Sequence, residues 1–206
     1  MSDTLSIQLG KIGLLFAQSD DRWSHEWFFH DANDKKLSKL LTSKEGTPAE
    51  DWPPSPPMQD VSQHELEAGD AILGVGMAGK SHWSASYSIE ANGDSHLIKS
   101  DLACLQKQIA SRADSDLPSS CQFGSTYELG EDWRVDSFEE TKIVLCAADS
   151  DGSKNKIVIQ AFTTQGRATR FKVLDRVIAI EPIQVSDSPV LATRWGFEVS
   201  LTEVSD

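Results

Sequence analysis

Residues 74–81 read Gly-Val-Gly-Met-Ala-Gly-Lys-Ser. This satisfies G-x-x-x-x-G-K-[ST], the pattern of a phosphate-binding loop, and its first six residues also satisfy G-x-G-x-x-G. In such a loop the backbone N–H groups of a glycine-rich turn surround phosphate oxygens, and a following helix points its N-terminus at them. Gly74 and Gly79 would shape the turn, Lys80 would reach the outer phosphates and Ser81 would hold magnesium. The residues that follow do not read as the required helix. Trp83, Ala85, Tyr87 and Ile89 alternate with His82, Ser84, Ser86, Ser88 and Glu90, the period of two that marks a half-buried strand. Asn92-Gly93 then suits a tight hairpin turn. The favoured reading is a strand end, a glycine-permitted bend and a β-hairpin over Lys80–Gln106. A nucleotide-binding enzyme using Gly74, Gly79, Lys80 and Ser81 is the alternative.

The five histidines are His25, His30, His64, His82 and His96. His25 and His30 fall on opposite faces of any strand that holds both. His82 and His96 lie near opposite ends of the predicted hairpin. No two make a ligand pair by spacing, so a hydrolase or metal site around His82 and His25, assembled from separate strands, is a further alternative. Ser81 and Ser84 flank His82, but neighbours on a strand point to opposite faces, and no G-x-S-x-G elbow is present. Asp149-Ser-Asp-Gly lacks the remaining ligands of a calcium loop and reads as a turn. No catalytic residue, metal or cofactor is expected.

Side chains that could bind rather than react are clearer. Of six tryptophans, Trp23, Trp27, Trp83 and Trp195 fall in predicted strands and suit a core. Trp52 and Trp133 fall in less regular segments and are the expected surface anchors. Arg167, Arg170, Lys172 and Arg176 form the one basic cluster, with Arg170, Lys172 and Arg176 on one face. They could hold an anion, or pair with acids of the N-terminal half, which is the preferred reading. The candidate binding residues are therefore Trp52, Trp133, His82, Arg170 and Lys172.

The elements that must position these residues are read from the same rows. The 206 residues carry a net charge of −13. From Asp151 onward there are seven Lys/Arg and seven Asp/Glu, so the whole deficit lies in the first 150 residues. An acidic surface disfavours nucleic acid and anionic membranes as partners. Cys104, Cys121 and Cys146 contain no C-x-x-C pair and suit free thiols in a reducing compartment. Met1–Gly10 has neither the basic nor the apolar region of a leader, and no apolar run reaches membrane-spanning length. A cytoplasmic location is expected.

Leu5 to Phe16 predicts one strand or two, and Arg22–His30 an aromatic strand. Over Ala32–Ser43, Asn33 or Asp34 could cap a short helix with Leu37, Leu40 and Leu41 on one face. Glu45–Asp60 holds five of the eight prolines and reads as a stiff surface loop pinned by Trp52. Residues 98–113 suit either strand or helix, with strand preferred to about Gln106. Later strands are expected over Ser125–Leu129, Trp133–Phe138, Lys142–Ala148, Lys156–Thr163, Ala168–Ile180 and Leu191–Thr202. The sequence thus predicts a single, mainly all-β domain over residues 1–206. It would be an antiparallel sandwich or distorted barrel of about nine or ten strands, with a helix-plus-proline insertion at about 32–60. Function is read as a non-catalytic binding or interaction domain for an unidentified protein or small ligand.

Overall fold

Period-two patterning and tight turns build almost all of the molecule. The computed structural model describes residues 3–31, 36–67, 69–92, 95–106, 124–147, 155–165, 167–183 and 192–203. The chain runs through β1 (Thr4–Leu9), β2 (Ile12–Ser19), β3 (Arg22–Asp31), β4 (Lys36–Ser43), β5 (Asp60–Leu66), β6 (Gly69–Ala78), β7 (Ser81–Asn92) and β8 (Ser95–Gln106). It continues through β9 (Ser125–Leu129), β10 (Trp133–Glu139), β11 (Lys142–Ala147), β12 (Asn155–Phe162), β13 (Thr169–Leu174), β14 (Val177–Pro182) and β15 (Ala192–Glu203). Among the described residues there is no helix, and so none long and apolar enough to cross a membrane.

The strands form two antiparallel sheets. One has the order β1-β2-β3-β4-β9-β14-β13, the other β10-β11-β12-β15-β8-β7-β6-β5. The sheets share one apolar core in which Phe16, Trp27, Trp83, Tyr87, Tyr127, Trp195 and Phe197 are buried. Neither sheet closes on itself, so the arrangement is sandwich-like and not a barrel.

The fifteen strands among the described residues exceed the nine or ten expected, because short turns divide segments that read as continuous and because β4 and β5 were not read as strands. Gly10, at φ +58°, separates β1 from β2, and Asp175, at φ +54°, separates β13 from β14. The polar strand β5 carries no strong alternation, since it is an edge whose residues after Val61 are exposed. Residues 98–106 are strand, and 107–113 lie outside the described residues. The β7–β8 ladder ends on the pair Asn92↔Ser95. Gly93 and Asp94, like 149–153, lie outside the described residues.

The expected short helix is corrected to strand. Lys36–Ser43 is β4, and the residues proposed to cap the helix, Asn33 and Asp34, are outside the described set. The apparent helical pattern arises from a β-bulge. Trp27 pairs with Leu41, and Phe28 with Lys39, leaving Leu40 unpaired. The extra residue lets consecutive Leu40 and Leu41 both face the core, each 0% exposed, as a helix face would. Leu37, the third member of the pattern, is 58% exposed.

The proline-rich segment is also corrected. Residues 47–51 are exposed as expected of a surface loop, but the stretch from Pro53 to Met58 is not. Pro53, Ser55, Pro56, Pro57 and Met58 are buried, and Trp52 packs partly buried against the core. Prolines lack the N–H that burial would strand, and several of the other polar groups find partners on both sheets. Ser55 Oγ donates to the Thr126 carbonyl at 3.0 Å and accepts from the Thr126 N–H at 3.1 Å. The Trp23 N–H donates to the Met58 carbonyl at 2.7 Å, and the Gln59 N–H to the Val75 carbonyl at 2.9 Å. The segment is a plug between the sheets.

Candidate functional site

The plug explains the glycines of the phosphate-loop pattern. β6 ends at Ala78 and β7 starts at Ser81, with Gly79-Lys80 as a two-residue turn. Gly79 supplies the positive φ, +53°, at the first central position, where tight hairpins favour glycine. A Cβ on Gly76 would collide with the Pro57 carbonyl, and one on Gly74 would meet Met58 Sδ at 2.7 Å. Both glycines let the plug lie flat on the inner face of β6. Lys80 is exposed at the turn and Ser81 is buried. A strand follows the motif, so Gly74–Ser81 lacks the helix N-terminus of a phosphate cradle.

His25 and His82 are not brought together. His25 faces inward from β3, while His82 lies on the outer face of β7, in the other sheet. His82 pairs with Leu105, and His96 with Ala91 at the far end of the ladder. Among the described residues no group of three His, Cys, Asp or Glu side chains could hold a metal ion.

What His25 does join is a buried polar centre. Its Nε2 lies 2.9 Å from the Tyr127 hydroxyl of β9. Its ring stacks on Phe16 at 5.1 Å and meets Tyr87 of β7 at 5.5 Å. Its backbone N–H donates to Ser43 Oγ at 2.9 Å, and that hydroxyl donates to Glu45 Oε1 at 2.5 Å. His25 Nδ1, the Tyr87 hydroxyl, Ser100 Oγ and Glu45 Oε2 are buried without a hydrogen-bond partner among the described residues. Trp27 Nε1 and the Tyr87 hydroxyl stand close enough to Tyr127 to affect its acidity, but outside ordinary hydrogen-bond geometry.

Burial dominates the titration of this centre. Desolvation lowers the His25 pKa to about 3, so the imidazole is neutral near pH 7. It raises those of Tyr87 and Tyr127. It also pushes the Glu45 carboxyl up to about 7, against the pull of the Ser43 hydrogen bond and the Arg22 charge. A general base must come within hydrogen-bond reach of its substrate. His25 at 2% and Tyr127 at 0% exposure present no surface to one. Cys104 is equally unreactive, its thiol raised to about 12 by burial.

The outer face of the eight-stranded sheet is different. Leu73, Val75 and Met77 of β6 and Leu105 of β8 are 42–52% exposed. Register places Met77, His82 and Leu105 in one row across three strands, and Val75, Ser84 and Ala103 in the next. His82 therefore sits between two exposed apolar side chains, with its Nε2 covered and unpartnered among the described residues.

The other predicted binding residues are dispersed. Trp133 is not a surface anchor: it is 2% exposed, its Nε1 donates to Ser38 Oγ at 3.1 Å, and its ring meets Phe29 edge-on. Trp52 is a partly buried part of the plug. Arg170 and Lys172 lie on β13 and pair with Glu181 of β14 at 3.3 and 2.7 Å. They do meet acid from their own chain, although from the neighbouring strand and not from the N-terminal half. Arg176 leaves that face and donates to the Leu129 and Gly130 carbonyls. Sequence reasoning missed Glu45, Tyr87 and Tyr127 as a group. The one available signal was that Tyr87 and Tyr127 occupy inward positions of alternating strands. The chain matches no known protein family, no characterised protein and no solved structure.

Proposed function

We propose that this chain is a non-catalytic cytoplasmic binding domain that docks a protein partner on the outer face of its eight-stranded sheet, centred on His82. The supporting observation is the contiguous set Leu73, Val75, Met77 and Leu105, each between 42% and 52% exposed. Large apolar side chains grouped on one sheet face mark interaction sites more often than isolated ones do. The partner is a protein with an apolar patch framed by Lys and Arg. Net charge of −13 attracts such a surface and repels a second copy of the same chain. Unpaired, buried Cys104 and Cys146 suit a reducing compartment.

A photo-crosslinking residue at Val75, compared with one at Lys172 on the opposite sheet, tests this in cell extract. The expected result is a discrete crosslink to a basic protein from position 75 alone, abolished by Met77→Glu with Leu105→Glu. Equal crosslinking from both positions, none from either, or a crosslink to a second copy of this chain overturns the proposal.

A further inference from the structure

An acid stands at the start of the segment that carries the plug. Glu45 follows Ser43, the last residue of β4, by two positions, and the chain then passes through exposed residues 47–51 before the buried stretch from Pro53 to Met58. The carboxylate has one hydrogen bond, from Ser43, while Oε2 is buried with no partner among the described residues. Arg22 of β3 is the cation that faces it. That guanidinium is already engaged: Nη1 donates to the Gly46 carbonyl at 2.9 Å and Nε to Asp21 Oδ1 at 3.3 Å. Beyond Arg22 and the Asp21 carboxylate paired with it, the described groups that interact with Glu45 are uncharged. They are neutral His25 of β3, the Ser43 hydroxyl of β4, and the phenols of Tyr87 on β7 and Tyr127 on β9.

We propose that the plug is a pH-operated latch, closed while Glu45 is neutral and loosened when Glu45 ionises. A carboxylate buried with one hydrogen bond and a shared cation is poorly compensated. Relief does not require the sandwich to unfold, because Glu45 can move to water with the plug. The described bonds tying residues 44–59 to the sheets run through the Lys44 and Gln59 N–H groups, the Gly46 and Met58 carbonyls, the Ser55 hydroxyl and the Gln59 side chain, fewer than the twelve-pair ladder that joins β7 and β8. Burial sets the closed-state carboxyl at about 7 against its ordinary 4.5, which places the transition near neutral pH. The plug backs β6, which carries the proposed docking residues, but the latch does not depend on that proposal.

Hydrogen exchange measured by mass spectrometry on the intact chain tests it. Rates are corrected for the intrinsic pH dependence of exchange and compared at about pH 6 and about pH 8.5. The two carboxyl values predict that opening of residues 44–59 rises about tenfold over this interval and then levels off. Peptides from β7 and β8 should not change, and Glu45→Gln should abolish the rise. A plug whose opening is independent of pH, a rise shared by β7 and β8, or an equal rise in Glu45→Gln overturns the proposal. If Glu45→Gln does not fold, the wild-type series still decides through the first two outcomes.

Discussion

Gly76→Ala adds one methyl group where the plug crosses β6. The new Cβ would collide with the Pro57 carbonyl and crowd the Gln59 nitrogen at 3.2 Å. Both are backbone atoms, so no side-chain rotation relieves the clash and the plug must back away. Two kinds of interaction are then weakened. Met58, 1% exposed, stands to lose part of the ~1.5–3 kcal/mol that full burial of such a side chain contributes. The bonds from Trp23 N–H to the Met58 carbonyl and from Gln59 N–H to the Val75 carbonyl contribute about 1 kcal/mol each. Restricting the unfolded chain returns ~0.4–1 kcal/mol. Because the plug shifts without leaving the core, somewhat more than half of that stabilisation is forfeited, and the net destabilisation is about 2–3 kcal/mol. That lowers Tm by roughly 5–10 °C in a chain of this size. Urea titration should show a lower midpoint at unchanged slope. Lys80→Ala, at the exposed turn, should stay within about 0.5 kcal/mol of wild type. If Gly76→Ala is equally silent, β6 is not packed against the plug and the structural account of the glycines fails.

Two other substitutions probe the polar centre. Ionised Glu45 is disfavoured in the fold, so its contribution to stability is fully present below about pH 4.5 and lost as pH rises through about 7. Glu45→Gln should therefore gain on wild type by up to about 3 kcal/mol as pH rises from about 4.5 to 8, measured by urea titration at several pH values; a difference that does not grow with pH counts against the burial argument. His25 has the opposite sense, destabilising the fold as pH falls from 6.5 toward about 3; it is common to both proteins and cancels in the difference. Tyr127→Phe removes the hydroxyl from His25 Nε2 and leaves both ring nitrogens unpartnered among the described residues, at a cost of about 1–3 kcal/mol. Calorimetry showing no loss of stability would mean that this hydrogen bond does not form.

Strand alternation made β7 legible in the sequence, because it has one face in the core, and turn signals bounded β11, β12 and β15, whereas most of β8 suited either strand or helix. The misreadings have local physical causes. β4 imitates a helix because a bulge turns Leu40 and Leu41 inward together. The proline segment imitates a surface loop because proline cannot join a ladder, but an absent N–H also removes one cost of burial. The polar centre had no local signature. His25 and Tyr127 are 102 positions apart, and the alternation of each strand says only that the residue points inward. Glu45 offered less still, since its burial follows from where the plug goes. His82 was legible as a candidate, but not its apolar surroundings, which depend on the register of three strands.

Two facing sheets held only by apolar side chains have no strong preference for one offset over another, since such attractions are non-directional. Here adjacent residues of the plug are bonded to opposite sheets, Met58 to Trp23 of β3 and Gln59 to Val75 of β6. A single peptide unit thus acts as a rivet that resists shear between the layers. Sliding by even one residue would break directional bonds on one side or the other. The relative registration of the two sheets is thus fixed in part by a short stretch of chain that belongs to neither, alongside direct bonds between the sheets such as Trp133 Nε1 to Ser38 Oγ and Trp195 Nε1 to Ser125 Oγ.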